Sequence, residues 1–327
     1  MRALVTGGAG FIGSNVTDRL LSQDWHVTVV DNFDPYYDPA QKRRNIADAL
    51  RHDAYSLIEC DVRDASALAA AFDAAQPDVV VHLAARAGVR ASVEDPLSYA
   101  QVNELGGLHV LAECKSRGNV PVVYSSTSSV YGNTRQIPFR EDDPAAEPLT
   151  PYAASKRAGE LMAHAFHHVY GLPSAVLRFF TVYGPRGRPD MAFATFSRAL
   201  LHGERIRLHG EATRRDFTYV DDIVDGVLGA TEWVLDGRGF GTFNLGRSEP
   251  VVVRRLIELL GEALGVEPQI DLGELQVGES EVTAADVSRA AEAFGYAPRV
   301  SLEEGVRRWV EWIDQSDEAP QELQRRR

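Results

Sequence analysis

Thr6-Gly7-Gly8-Ala9-Gly10-Phe11-Ile12-Gly13 follows the apolar run Ala3-Leu4-Val5 and opens a helical pattern over residues 11–22. A short β-branched run, a glycine turn and a 3.6-period stretch in that order predict strand, tight turn and helix. Gly7 permits the turn, Gly10 lets the backbone come against a pyrophosphate, and Gly13 lets the helix pack closely on the strand. The first helical turn, at Phe11 and Ile12, offers unpaired N–H groups to phosphate. A second apolar run, residues 27–30, ends at Asp31. A carboxylate there accepts hydrogen bonds from ribose hydroxyls and repels a 2′-phosphate, so the dinucleotide expected is NAD and not NADP. Lys42 and Arg43 would reverse that preference by folding back onto the ribose.

Working outward, strand-like runs at 56–59, 79–82 and 122–125 alternate with helical stretches at 65–75, 97–117 and 151–170. Such alternation predicts an α/β fold, a doubly wound parallel Rossmann sheet with helices on both faces. Thr150 is the expected cap of the last of these helices, with Pro151 at its first position. After Arg178 the texture changes. Residues 184–190 are rich in Gly, Pro and Arg, and helices are expected at 251–265 and 302–313. The helical stretch 221–234 and the strand-like 242–245 would return to the main sheet. The expected division is therefore an NAD-binding domain over 1–178, with 218–246 returning to it. A smaller interleaved substrate lobe would cover 179–217 and 247–314, and a disordered tail 315–327.

Composition narrows the function classes. The chain has 327 residues, 44% hydrophobic and 25% charged, as a soluble protein with a sizeable core does. Its net charge of −13 argues against nucleic acid as a partner. The basic clusters Lys42-Arg43-Arg44 and Arg325-Arg326-Arg327 read as a solvated loop and a frayed tail. No apolar run is long enough for a bilayer, so no membrane partner is expected. Met1 leads straight into strand, so no signal peptide is expected, and two cysteines suit a reducing cytoplasm. His164 and His168 have metal-like spacing but no acidic third ligand nearby, so no metal is expected.

Tyr152-Ala153-Ala154-Ser155-Lys156 puts a phenol and an ammonium on one helix face. A tyrosine near its ordinary pKa of about 10 is a poor base at neutral pH. A neighbouring ammonium and a positive nicotinamide would stabilise the phenolate. Upstream, Tyr124-Ser125-Ser126-Thr127-Ser128-Ser129 places hydroxyls at a strand's C-terminal end, where doubly wound sheets bind ligands.

These motifs, with Arg215-Asp216-Phe217-Thr218-Tyr219-Val220-Asp221-Asp222, resemble the extended short-chain dehydrogenase/reductases, the NAD-dependent nucleotide-sugar epimerase family, over roughly residues 1 to 313. The stretches Asp31-Asn32-Phe33-Asp34-Pro35-Tyr36-Tyr37-Asp38, His82-Leu83-Ala84-Ala85-Arg86-Ala87-Gly88-Val89-Arg90 and Tyr183-Gly184-Pro185-Arg186-Gly187-Arg188-Pro189-Asp190-Met191-Ala192 are most similar to its uronate-handling 4-epimerase branch. The resemblance implies a UDP-sugar substrate. The reaction would be C4 epimerisation of UDP-glucuronic acid to UDP-galacturonic acid through a 4-keto intermediate.

The same resemblance implies Thr127, Tyr152 and Lys156 as catalytic residues. Beside the motif glycines and Asp31, it implies Asn32, Asp61, Val62, Leu83, Ala84, Ala85, Asn103 and Ser125 along the cofactor. Ser128, Ser129, Thr181 and Arg188 would hold the substrate carboxylate, with Arg86, Arg90 and Ala192 alongside. Arg215 would hold the diphosphate, His209 would stack on the base where an aromatic is usual, and Glu279 would reach the ribose. Arg86 stands where glutamine is more usual. A homodimer through helices 97–117 and 151–170 is also implied.

The 4-keto uronate is a β-keto acid and loses CO₂ when the C–CO₂ bond aligns with the carbonyl π system. A fork-shaped guanidinium and hydroxyls can prevent that alignment. A 4,6-dehydratase would carry an acid and a base where Ser128-Ser129 stand. A UDP-glucose/galactose 4-epimerase, a UDP-glucuronate decarboxylase and an NAD-sensing binding protein remain as alternatives.

Overall fold

The computed structural model describes residues 1–274, 280–315 and 323. Seven parallel strands form the main sheet: β1 (Arg2–Thr6), β2 (His26–Asp31), β3 (Tyr55–Glu59), β4 (Val79–His82), β5 (Val122–Thr127), β6 (Ser174–Phe179) and, later, β10 (Phe240–Leu245). Their order is β10-β6-β5-β4-β1-β2-β3. The chain winds outward from β1 to β3, then crosses to β4 on the other side of β1. That reversal opens the crevice in which doubly wound sheets bind ligands.

Alternation within the strands supplies the two cores. Ala3, Val5, Val27, Val29, Val79, Val81, Val123 and Leu177 face one side of the sheet. Leu4, Val30, Val80, Val122, Tyr124 and Val176 face the other. With a side-chain period of two, near-continuous β-branched runs are what a sheet covered on both faces requires. Helices α1 (Phe11–Leu21), α2 (Pro39–Asn45), α3 (Ala65–Ala75), α4 (Val89–Glu94), α5 (Pro96–Tyr99), α6 (Gly107–Ser116) and α7 (Pro151–Tyr170) connect the first six strands. Thr150 caps α7, its hydroxyl accepting from the Ala153 N–H at 3.3 Å, and Pro151 holds the first position.

The remaining elements are β7 (Thr181–Tyr183), α8 (Ala192–His202), β8 (Ile206–His209), β9 (Arg214–Tyr219), α9 (Val220–Leu235), β11 (Pro250–Val252), α10 (Val253–Leu264), β12 (Ile270–Gly273), α11 (Ser288–Phe294) and α12 (Leu302–Gln315). Helix α9 leads back into β10, which pairs in parallel with β6 from Phe240 to Leu245. Outside the main sheet lie two small ones, β11-β9-β7 and β12-β8. Helices α8 and α12 are pinned by Trp309, fully buried, whose indole N–H donates to the Ser197 hydroxyl at 2.9 Å.

Several expectations are corrected. The helix expected over 97–117 is broken: residues Ala100–Gly106 form a π-helical segment between α5 and α6. Within it lies Asn103, whose amide bonds to partners on other elements, described below. Lys42-Arg43-Arg44 is not a solvated loop but the last turn of α2, with Lys42 8% exposed. Helix α8 carries no expectation from sequence, although its buried face is clear. The tail expected to be disordered lies mostly outside the described residues; Gln315 belongs to α12, and Leu323 is buried. Arg325-Arg326-Arg327 lies outside them as well. Among the described residues no helix is long and apolar enough to cross a membrane, and no three His, Cys, Asp or Glu side chains are grouped to hold a metal ion.

Candidate active site

A cavity of about 380 Å³ lies over the C-terminal ends of β1, β2, β4, β5 and β6. Its floor is the glycine turn. A Cβ on Gly7 (φ +70°) would stand 2.7 Å from the Ala84 nitrogen, and one on Gly13 would stand 2.2 Å from the Gly7 carbonyl oxygen. No side chain fits at either position, so bare backbone faces the cavity. Helix α1 begins there without a side-chain cap, leaving its first N–H groups open to an anion. A dinucleotide pyrophosphate fits this cradle.

Asp31 terminates β2 on the same wall. Its carboxylate accepts from the Ala9 N–H at 3.1 Å and the Phe33 N–H at 2.8 Å, and Lys42 Nζ stands 3.6 Å away. Lys42 therefore does fold back to the cavity, but its charge is paired with Asp31. Arg43 turns away, making a fork on Glu59 and stacking on Phe33. Asn32 donates to Asp61 at 2.8 Å. The guanidinium of Arg63 holds the Asp61 carboxyl down at about 2. Along the crevice follow Val62, Leu83, Ala84 and Ala85. Behind them His82 is buried and kept neutral by desolvation and by the Lys156 charge; its ring meets the Thr6 hydroxyl at 2.7 Å.

At the far end stand Ser125, Thr127, Ser128, Ser129, Tyr152, Lys156, Thr181 and Arg188, all on the cavity wall. Burial pushes the Tyr152 phenol up; a hydrogen bond with Thr127 and the charge of Arg188 pull it back down. Lys156 donates to the Ser125 hydroxyl at 3.1 Å. Desolvation lowers the Lys156 ammonium to about 7, opposed by the carboxylate of Glu160 one turn on. Tyr152 and Lys156 both line the cavity, four residues apart on α7. Thr127 and Arg188 are the neighbours that draw the Tyr152 phenol down against its burial.

Beneath these residues lies a buried charge network. Arg178 on β6 forks onto Glu160 at 2.9 and 2.8 Å, Arg157 adds a bond of 2.8 Å, and the Ser126 hydroxyl donates to the same carboxylate. Arg178 and Glu160 side chains are each 2% exposed. Removing one partner of such a pair strands a buried charge, so the pair ties strand β6 to helix α7, and Ser126 ties β5 to the same carboxylate.

Some expected residues are not on the wall. Asn103 is buried and brackets the backbone of Arg86, accepting from its N–H at 2.8 Å and donating to its carbonyl at 3.0 Å. It also donates to the Ser155 hydroxyl at 2.9 Å, so it ties the wall to α7 from behind. A π-helical segment is a known way to turn one side chain out of register at a site. Arg90 and Ala192 lie outside the cavity lining, as do His209 and Arg215. His209 meets the Glu274 carbonyl at 3.1 Å, and Arg215 donates to the Ser280 carbonyl at 2.8 Å. Glu279 lies outside the described residues.

Tyr36, Tyr37, Cys60, Phe179, Phe180 and Met191 line the cavity without having been singled out from sequence. Phe179 ends β6, so the rule that ligands bind at C-terminal strand ends would have found it. The tyrosines come from a loop whose path only packing decides. Arg86 lies with its Cζ 5.8 Å from the ring centroids of both Tyr36 and Tyr99.

A seven-stranded doubly wound sheet, a glycine cradle and a Tyr–Lys pair beside a hydroxyl run define an NAD-linked enzyme of Rossmann type. Residues 3–246 match the NAD dependent epimerase/dehydratase family, and the chain belongs to it. It is 41% identical to UDP-glucuronate 4-epimerase 3 of Arabidopsis thaliana over 94% of this chain and 75% of that one. Among solved structures it resembles the UDP-glucuronic acid 4-epimerase of Bacillus cereus in complex with UDP-glucuronic acid and NAD, with a TM-score of 0.90 and 34% identity over 96% of this chain and 99% of that one. The UDP-glucose 4-epimerase of Thermotoga maritima, with UDP-glucose, gives a TM-score of 0.86 and 33% identity over 96% and 98%.

Proposed function

We infer that this protein inverts C4 of UDP-glucuronic acid to give UDP-galacturonic acid, with NAD as its resident cofactor. The observation that carries this reading is one wall bearing Tyr152 and Thr127 together with Ser128, Ser129, Thr181 and Arg188. Proton-transfer groups and a carboxylate-binding set converge on one end of the cavity. The relatives from Arabidopsis thaliana and Bacillus cereus, both UDP-glucuronate 4-epimerases by name, support the same substrate.

Gly7, Gly10, Phe11, Ile12 and Gly13 would cradle the pyrophosphate, and Asp31 with Asn32 the adenosine ribose. Asp61, Val62, Leu83, Ala84 and Ala85 would line the rest of the cofactor. Bound NAD supplies a reversible two-electron oxidant for the sugar alcohol. Tyr152 takes the C4 hydroxyl proton, with Thr127 hydrogen-bonded to the phenol as relay; proton transfer of this kind contributes about 10²–10⁴-fold. Ser125 holds the Lys156 side chain against the site. Ser128, Ser129, Thr181 and Arg188 grip the carboxylate of the 4-keto sugar while the ring turns to present its other face. Arg215, His209 and Glu279 would anchor the UDP end during that turn.

Proton NMR of UDP-glucuronate with the purified protein, without and then with added NAD, tests the reading. UDP-galacturonate is expected. UDP-xylose or a 4-keto pentose would indicate a decarboxylase, and an unchanged spectrum in both conditions would overturn the assignment. UDP-glucose turned over as fast as UDP-glucuronate would favour the neutral-sugar epimerase.

The protein works as a homodimer in this reading. Val93, Leu97, Leu105 and Leu161 are 45–75% exposed on α4, α5, the π segment and α7, elements that pack side by side. Light scattering should return twice the 35.9 kDa chain mass; a monomer at micromolar concentration would contradict it. Two buried thiols, Cys60 and Cys114, suit a reducing cytoplasm.

A further inference from the structure

Arg188 lines the cavity, yet its guanidinium is already engaged. Its Nε donates to Asp190 Oδ1 at 2.9 Å and its Nη2 to Oδ2 at 2.7 Å. A bidentate fork of this kind fixes the plane of the guanidinium and consumes two of its five N–H donors. It also makes the Arg188–Asp190 unit neutral overall. Asp190 is itself held by the Tyr36 hydroxyl, which donates to Oδ2 at 3.3 Å. The Tyr36 ring lies 5.7 Å from Arg188 Cζ. Room for Tyr36 comes from Gly88 (φ +118°), where a Cβ would stand 2.6 Å from the tyrosine hydroxyl.

The loop carrying Arg188 is clamped to the cofactor half. Gln41, buried on α2, donates to the Gly187 carbonyl at 3.1 Å, and Arg186 pairs with Asp18 of α1 at 2.6 Å. These contacts orient Arg188 from its own loop and from the cofactor side.

We propose that Asp190, held by Tyr36, is a positioning residue that fixes the plane of the Arg188 guanidinium. Its remaining donors then meet the substrate carboxylate in one orientation, which keeps the 4-keto acid from losing CO₂. The inference rests on the uronate reading above. The reaction it suppresses is cleavage of the C5–carboxylate bond: CO₂ departs, the electron pair passes to the C4 carbonyl oxygen as an enolate, and C5 then takes a proton from water. That cleavage requires the bond to stand parallel to the carbonyl π orbitals, so an unfixed guanidinium permits it. Because Asp190 also competes for the fork, its removal does not weaken the hold on a carboxylate ligand.

The test uses the NAD-loaded protein as wild type, Asp190→Asn, Asp190→Ala and Tyr36→Phe. Two quantities are read: the ratio of decarboxylated pentose products to UDP-galacturonate by NMR, and the calorimetric Kd values for UDP-glucuronate and UDP-glucose. Both Asp190 variants should raise the ratio about tenfold or more, since small misplacements of a reacting group carry effects of that order. Each should bind UDP-glucuronate at least as tightly as wild type. Tyr36→Phe should raise the ratio in the same direction by a smaller factor, and it decides the matter should the Asp190 variants not fold. A wild-type ratio in the variants, or equal weakening of both ligands, overturns the inference while wild type still makes UDP-galacturonate. A wild type that makes none overturns the functional reading and this inference with it.

Discussion

The glycine turn at Gly7–Gly13 and the loop at Gly184–Met191 both face the active-site cavity, but they are held in different ways. The turn closes on itself, Gly10 N–H donating to the Gly7 carbonyl at 3.1 Å and Gly13 packing on the same oxygen, while Asp31 and Asn45 bind Ala9 from outside. The loop also closes on itself, Gly187 N–H donating to the Gly184 carbonyl at 3.0 Å, but its place is set by four distant residues, Gln41, Asn15, Asp18 and Tyr36. The loop even holds Arg186 at φ +67°, a conformation a non-glycine residue keeps only when its surroundings impose it. A locally determined region can be read from a short motif. A region determined by its neighbours cannot.

The sharpest way to break this contrast is Gly13→Ala. Its Cβ would collide with backbone that cannot yield, so a cost of about 3 kcal/mol is expected, together with loss of protein-bound NAD. Thermal unfolding and cofactor content after gel filtration check it. A variant that keeps both would show that the turn is less self-contained than its geometry indicates.

A second effect concerns the catalytic helix and depends on pH. Lys156 falls to about 7 in the fold from 10.5 in an open chain, because burial disfavours its charge. Below about pH 7 both states carry the proton and the burial penalty is present in full. As pH rises above 7 the folded state releases its proton while the unfolded chain retains one, so stability rises. Above about pH 9 the buried thiols Cys60 and Cys114, both pushed up by desolvation, act in the opposite sense. Unfolding midpoints between pH 7 and about 8.5 should therefore climb in the wild type and stay flatter in Lys156→Met. Parallel profiles would exclude Lys156 as the source.

The smallest effect should come from Gln41→Ala. Losing the bond to the Gly187 carbonyl should cost about 1 kcal/mol and raise KM for UDP-glucuronate. NAD retention should stay unchanged, because the glycine turn does not depend on Gln41. Equal losses of sugar and cofactor affinity would mean that the two regions form one cooperative unit.

Strand–helix alternation, Thr150 at the α7 cap and the period-two runs were legible because each depends on residues within one or two turns. Asp31 was legible for the same reason, lying at the end of β2 as its run predicts. The π-helical segment was not, since Asn103 obtains its partners from Arg86 and Ser155 on other elements. Lys42 read either as a solvated charge or as a group folded back on the ribose, because nothing adjacent announces that Asp31, at the end of β2, lies 3.6 Å from its ammonium. Glu160 gave no signal either: a helix carboxylate reads as surface until Arg178 of β6 is seen against it.

By itself the sequence determined the doubly wound sheet, the NAD cradle and the pairing of Tyr152 with a helix-borne Lys156, because local sterics and a fixed helical or strand period set each of them. Tertiary structure alone decided which other neighbours meet those groups. It brought Ser125 to Lys156, Thr127 and Arg188 to Tyr152, and Asp190 to Arg188 under Tyr36. Charge and hydrogen bonding act over a few ångströms of space rather than along the chain, so their partners become visible only once the chain has folded back on itself.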